Sequence, residues 1–407
     1  MTASRGSIDH FLLLHAGRAD RWRDVAGLCA EWARGKATRP ALEAAMAAMA
    51  PLEEFHAFPG AGLLGALRER VAGNDAAGAA GLARRISNAL LTRSYRARPG
   101  EWDVHDAMAA EEVAEVLPPT LGEREAYRPY FEVLFVVSQP AARWPALAAE
   151  IRRLRRPEDA FVYQPVLVGS FEDAFCAAMV NPAIAAVVMA EGFPYRSRHD
   201  VPALRSVLDP LGAPEGPEET TLRLAAALKR IRPELDLYLL SDRDVEKLAG
   251  DPAADSFRRI FYGVEELLEQ HLAVLEGVQA RYETPFFDNL KKYAQRPIGT
   301  FHALPIARGK SVFSSDWIRD MGEFYGINLF LAESSATTGG LDSLLEPTGN
   351  IKKAQEMAAR AFGADHVFFV TNGTSTSNKM AVQALTAPGD IVIVDRNCHK
   401  SHHTAWC

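Results

Sequence analysis

Two stretches near the C-terminal end of the sequence hold residue types that could do chemistry. The first is Thr371-Asn372-Gly373-Thr374-Ser375-Thr376-Ser377-Asn378-Lys379. It is a small, hydroxyl-rich turn between an apolar run and a predicted helix. Such a turn offers free backbone N–H groups, the positive end of a helix dipole and hydroxyl donors, which are the groups a phosphate dianion needs. Gly373 lets the backbone approach a ligand closely. The spacing is neither the P-loop nor the dinucleotide fingerprint. A phosphate-bearing cofactor other than a P-loop nucleotide is therefore favoured, and a polar turn that only caps its helix is the plain alternative. The second stretch is Asp395-Arg396-Asn397-Cys398-His399-Lys400-Ser401-His402-His403. It follows the next apolar run, and ligands gather at the carboxyl ends of parallel strands. An imidazole there can stack on a flat ring or move protons. Cys398, His399, His402 and His403 also invite a metal reading. No complementary distant ligand cluster accompanies them, so no metal is expected. Pocket lining is favoured, with a solvated loop as the alternative.

These stretches need elements to position them. Asn350 can cap a helix over 350–362, with Ala354, Met357, Ala358, Ala361 and Phe362 at three-four spacing and Gly363 as its stop. Residues 366–371 predict a strand, 377–385 a helix, and 390–394 a strand after the Pro388-Gly389 turn. This order begins an open parallel α/β sheet. Farther upstream, 162–168, 184–189 and 235–240 read as buried strands. Helices are predicted from Ser170, which can cap its helix with Asp173 at the third position, and over 220–230. Alternating strands and helices mean a parallel sheet covered on both faces, flavodoxin-like or receiver-like. A phosphorelay receiver needs an acidic cluster at the strand ends. Only Glu191 follows the second run, so a structural or regulatory domain is expected.

Residues 264–282 predict a long helix, and Pro285, Pro297 and Pro305 then mark an irregular connector to about 335. Residues 1–150 read as helical, punctuated at Gly60, Gly62, Gly65, 74–81 and Pro118-Pro119. Trp22, Trp32 and Trp102 are expected as core or interface anchors. No catalytic constellation is visible there, so an accessory or oligomerisation region is expected.

The chain has 407 residues, 48% hydrophobic and 24% charged, which excludes wholesale disorder. Its net charge of -7 argues against a mainly electrostatic nucleic-acid binder. Four scattered cysteines make no disulfide framework, which favours a reducing cytoplasm. The short apolar run at 11–14 lacks the basic flank and length of a signal peptide, and no run spans a membrane.

Residues 371–379, 395–401 and 344–349 together resemble the ornithine/lysine/arginine decarboxylase family, which are pyridoxal-phosphate enzymes of the aspartate-aminotransferase fold. The strong resemblance covers 301–403. It implies an α/β chain with a helical N-terminal region (1–150), a flavodoxin/receiver-like wing domain (151–282), a linker (283–335) and the truncated start of an aminotransferase-like, fold type I major domain (336–407). It implies that Thr374 and Ser375 hold the phosphate of pyridoxal 5'-phosphate, with Gly373 and Thr376 shaping the cup. It also implies that His399 stacks over the pyridine ring and helps orient the carboxylate for loss, while Asp395 fixes its loop. The family commonly has a Pro-Gly-His turn in its linker, where this sequence reads Thr300-Phe301-His302-Ala303-Leu304-Pro305.

The implied reaction is decarboxylation of lysine, arginine or ornithine to the amine plus CO2, in a cytoplasmic homodimer or higher homo-oligomer without nucleic-acid or membrane partners. The family's Schiff-base lysine and the acid facing the pyridine nitrogen lie farther downstream. Neither Lys400 nor Lys379 is expected to replace that lysine. The chain is therefore expected to be an N-terminal portion without turnover of its own. The rivals are another fold type I enzyme, such as an aminotransferase, and a non-catalytic assembly or regulatory protein.

Overall fold

The structure, a computed structural model, describes residues 17–96, 129–138, 140–156, 159–198, 205, 208–212, 216–243, 252–262, 267–301, 305–333 and 340–405. Trp102, Pro118-Pro119, the run 11–14, the linker stretch 302–304 and the first residues of the 264–282 helix lie outside them. The chain divides into two units, Met1–Ala280 and Arg281–Cys407.

Among the described residues the first unit begins with four helices: α1 (Arg18–Ala33), α2 (Arg39–Glu53), α3 (Gly60–Ala72) and α4 (Ala76–Thr92). Each buries one stripe at three-four spacing, as amphipathic helices must. Trp22, Val25 and Cys29 face Leu42, Met46 and Met49, and Leu63, Leu67 and Val71 meet Leu82 and Ile86. Trp22 is fully buried, as expected of an anchor, and Trp32 packs at the edge of the cluster. Asp75 caps α4 by accepting the Gly78 N–H at 2.9 Å.

A buried ion pair staples the start of α1 to the end of α2. Arg18 Nε and Nη2 donate to Glu53 Oε1 and Oε2 at 2.7 and 2.6 Å. Trp22 Nε1 and the Gly60 N–H complete the carboxylate at 2.9 and 3.2 Å.

The sheet begins earlier than the change of texture near residue 161 implies. β1 (Tyr130–Val136) falls inside the stretch 1–150 read as helical, and α5 (Pro140–Leu154) follows it. A short apolar run does not reveal by periodicity whether it is strand or helix. β2 (Val162–Val168), α6 (Phe171–Val180), β3 (Ile184–Ala190), α7 (Pro217–Ile231), β4 (Asp236–Ser241), β5 (Arg259–Tyr262) and α8 (Leu267–Tyr282) follow. The order is β2-β1-β3-β4-β5, and every pairing is parallel. This is the flavodoxin-like order. Pro165 sits in β2, an edge strand, where its missing N–H costs no ladder bond.

Alternate strand residues part to the two faces. Leu134, Val136, Val187 and Leu237 pack on α6 and α7 through Phe171, Phe175, Leu224 and Leu228. Val133, Phe135, Val188 and Tyr238 pack on α5 and α8 through Ile151, Val274 and Val278. Ser170 caps α6 as expected, accepting the Asp173 N–H at 3.1 Å.

Glu132, on β1, ties the helical bundle to the sheet. Its Oε2 accepts the Ala57 N–H at 3.0 Å and Asn181 Nδ2 at 2.7 Å, and its Oε1 accepts the Tyr130 hydroxyl at 3.0 Å. Asn181 Nδ2 also donates to the Phe55 carbonyl at 2.7 Å, and the Phe55 ring enters the sheet core. Burial pushes the Glu132 carboxyl above its usual range, and these three donors offset only part of that. Among the described residues no helix is long and apolar enough to cross a membrane.

Two outcomes are expected. Glu53→Ala strands the Arg18 charge and lowers unfolding stability by about 3–5 kcal/mol in urea titrations. For Glu132 the folded carboxyl titrates above the unfolded one, so the folded state binds more protons between the two values. Stability then falls as pH rises through that window and levels off above it. Glu132→Gln should remove this fall from urea midpoints measured between pH 4 and pH 8, whatever its own offset.

Candidate functional site

The second unit carries the residues singled out for chemistry. The 283–335 stretch, expected as an irregular connector, is helical in pieces: α9 (Pro285–Gln295), α10 (Lys310–Phe313), α11 (Arg319–Tyr325) and α12 (Ile327–Leu331). Its prolines and glycines break it into short helices without abolishing helix. α13 (Asn350–Phe362) ends at Gly363 in the left-handed conformation, as expected. α14 (Thr374–Leu385) and α15 (Lys400–His403) follow.

The start of α13 corrects the expectation for Asn350. Asn350 is the first helical residue, and Gly349 occupies the cap position. The capping carboxylate comes from Asp342, in the preceding loop. It accepts the N–H groups of Thr348, Gly349 and Ile351 at 3.0, 2.8 and 2.9 Å. Burial raises its carboxyl, but the backbone donors of Thr348, Gly349, Lys352 and Ile351 outweigh this and bring it down to about 2.

The two segments expected as strands, 366–371 and 390–394, form no ladder among the described residues. A strand exists through its neighbours' backbone groups, and none of the described elements supplies them here. Phe368, Ile391 and Ile393 are accordingly exposed.

Between these segments, α14 starts three residues earlier than predicted, at Thr374. Gly373 is its cap residue, with φ 82° and ψ 164°, a conformation nearly reserved for glycine. A Cβ there would meet nothing within 4 Å, so the constraint is the backbone and not crowding. Thr376 and Ser377 N–H groups turn back to the Gly373 carbonyl at 3.0 and 3.3 Å. The Thr376 hydroxyl donates to the Asn372 carbonyl at 3.0 Å. No side chain caps the helix, and no acceptor among the described residues meets the Thr374 or Ser375 N–H. Gly373, Thr374 and Ser375 are exposed and Thr376 is half-buried. Free N–H groups at the start of a twelve-residue helix, with two hydroxyls beside them, fit a phosphate.

Asp395 holds the second stretch: its Oδ1 accepts the Asn397 N–H at 2.7 Å, and its carbonyl accepts the Cys398 N–H at 3.1 Å. His399 is the cap residue of α15. Its Nδ1 accepts the Ser401 N–H at 3.2 Å and lies 3.0 Å from Ser401 Oγ. Cys398 Sγ lies 3.4 Å from His403 Nε2. Asn378 Nδ2 donates to Ser401 Oγ at 2.9 Å, which joins α14 to the His399 loop. A cleft of about 390 Å³ lies elsewhere in this unit, lined by Asp288, Lys292, Asp342, Asn350 and Lys353 among others, and includes neither 373–376 nor His399.

Residues 284–407 match the family described as Orn/Lys/Arg decarboxylase, major domain. This segment is similar to the Orn/Lys/Arg decarboxylase family. Among curated relatives of the chain, lysine decarboxylase LdcA of Pseudomonas aeruginosa is 33% identical over 204 residues, covering 47% of this chain and 27% of that protein. Arginine decarboxylase of Bacillus subtilis is 40% identical over 126 residues, covering 31% of this chain and 24% of that one. The chain thus spans about a quarter of the length of these relatives. The solved structure of lysine decarboxylase A from Pseudomonas aeruginosa aligns with 68% of this chain and 35% of its own, at 26% identity and a TM-score of 0.34.

In the matched segment, Asp342→Ala should cost about 1 kcal/mol of stability through the lost cap. The folded carboxyl titrates below the ordinary 3.8, so the contribution of Asp342 is complete above that value and is lost as pH falls toward about 2. Helical circular dichroism should show this acid step in the parent protein and lose it in Asp342→Ala.

Proposed function

We propose that the protein carrying this chain is a pyridoxal-phosphate-dependent decarboxylase of a basic amino acid, working in the cytoplasm as a homodimer or larger homo-oligomer. The observation that carries the reading is the start of α14, with uncapped Thr374 and Ser375 N–H groups behind the positive-φ Gly373. The similarity of 284–407 to the decarboxylase family supports it, as do relatives named for lysine, arginine and ornithine decarboxylation. The wing domain in this reading starts at β1 and the linker near 283.

When bound, pyridoxal phosphate supplies an electron sink for the charge left as CO2 departs. The chain's own residues bind and orient. Thr374 and Ser375 grip the phosphate with backbone N–H and hydroxyl groups, and the helix dipole adds to that grip. Gly373 admits the phosphate to the backbone, and Thr376 holds the turn through Asn372. His399 covers one face of the ring, which excludes water from that side and orients the substrate carboxylate.

The test uses the intact enzyme with lysine, arginine and ornithine. CO2 and the matching amine should appear with one of them. Thr374→Ala with Ser375→Ala should weaken pyridoxal-phosphate affinity about tenfold or more, the worth of roughly 1.5–3 kcal/mol for hydrogen bonds to a charged group. Keto acid in place of CO2 and amine, or cofactor affinity untouched by the double change, sinks the reading.

A further inference from the structure

We infer that Asn378 and Ser401 are positioning residues that hold the His399 imidazole in one tautomer and one orientation, and so lock the ring-facing group to the phosphate-gripping helix. The inference rests on the proposed role of His399 for its importance in catalysis, but not for its geometry.

The donor directions decide the tautomer. A backbone N–H can only donate, and the Ser401 N–H points at His399 Nδ1 from 3.2 Å. Nδ1 is therefore an acceptor, and the neutral ring carries its proton on Nε2. Asn378 Nδ2 likewise can only donate, and it donates to Ser401 Oγ at 2.9 Å. That interaction takes one acceptor site of the hydroxyl and leaves its own O–H free to point at His399 Nδ1, 3.0 Å away. The chain of polarity runs from Asn378 through Ser401 to His399 in one direction.

Burial gives the middle link its weight. Ser401 is 2% exposed, whereas His399 and Lys400 beside it are exposed. A buried hydroxyl without partners costs free energy, so Ser401 keeps both bonds. Asn378 lies one turn after Thr374 on α14, on the same helix face. The grip on the phosphate and the orientation of His399 thus share one rigid element. Local capping of α15 explains the Ser401 N–H contact alone. It gives no reason for a side chain 23 residues away to complete Ser401.

The experiment reads the tautomer directly, by nitrogen NMR of histidine-labelled protein above the titration of the ring. His399 should show a protonated Nε2 and an unprotonated Nδ1. Ser401→Ala should shift the tautomer ratio toward the Nδ1–H form about fivefold, which is one hydrogen bond of roughly 1 kcal/mol converted by RT. Asn378→Ala should shift it in the same direction, Ser401→Thr should restore it, and His402→Ala should leave it unchanged. Helical circular dichroism confirms that each variant is folded, and an unfolded Ser401→Ala hands the decision to Asn378→Ala. A mixed tautomer in the parent protein, or a ratio that Asn378→Ala leaves unmoved, overturns the inference. Absence of pyridoxal-phosphate binding by the parent protein overturns the functional reading instead and leaves the tautomer result standing.

Discussion

A carboxylate cannot be left in a protein interior without donors, and Glu132 is placed where that requirement shapes the whole first unit. It lies on a strand flanked on both sides by other strands, beneath the turn that follows α2. Satisfying it draws in the Ala57 N–H from the helical bundle, the Asn181 amide from the end of α6 and the Tyr130 hydroxyl from its own strand. Asn181 then reaches the Phe55 carbonyl, and the Phe55 ring fills the sheet core. One buried carboxyl thereby ties the helices to the five-stranded sheet, with Phe55 reaching into the sheet's core. The apolar contacts around it supply most of the stabilisation, since burial of apolar area is the dominant favourable contribution. They would tolerate other arrangements. The directional donors select this one.

The second unit turns on a related constraint, the unmet N–H groups at the start of each helix. α13 and α14 answer it in opposite ways. At α13 the Asp342 carboxylate reaches back from a loop and occupies the N-terminus. At α14 the cap residue is Gly373, which has no side chain, and the N–H groups of Thr374 and Ser375 remain open. A helix that already holds a carboxylate has little use for a second anion. One that begins in glycine and hydroxyls is free to take a phosphate. This contrast within one unit separates a helix start filled by its own chain from one left open more sharply than composition does.

Much of this architecture is legible in the residues themselves. Trp22 is the buried anchor its size suggests, Ser170 caps its helix, Gly363 stops its helix, and the apolar runs upstream pair as a parallel sheet. Each of these follows from a local rule about size, capping or hydrophobic runs. The misses share a different character. β1 is an apolar run whose strand identity depends on partners on both sides. Asp342 caps a helix from eight residues upstream of its first residue, and Asn350 fills no cap. The segments 366–371 and 390–394 carry strand composition without a ladder.

The sequence by itself determined the types of chemistry present: a hydroxyl-rich turn opened by a glycine, an imidazole after an apolar run, and apolar periodicities that must be buried. Those properties live in side-chain type and in spacings shorter than one helix, so they can be read in one dimension. Only the tertiary structure decided which donors meet which acceptors. Glu132 with Asn181, and Asn378 with Ser401, are pairs separated by 49 and 23 residues. Hydrogen bonds act over about 3 Å and depend on angle, so such pairings exist only once the chain has folded and the elements carrying them have come together.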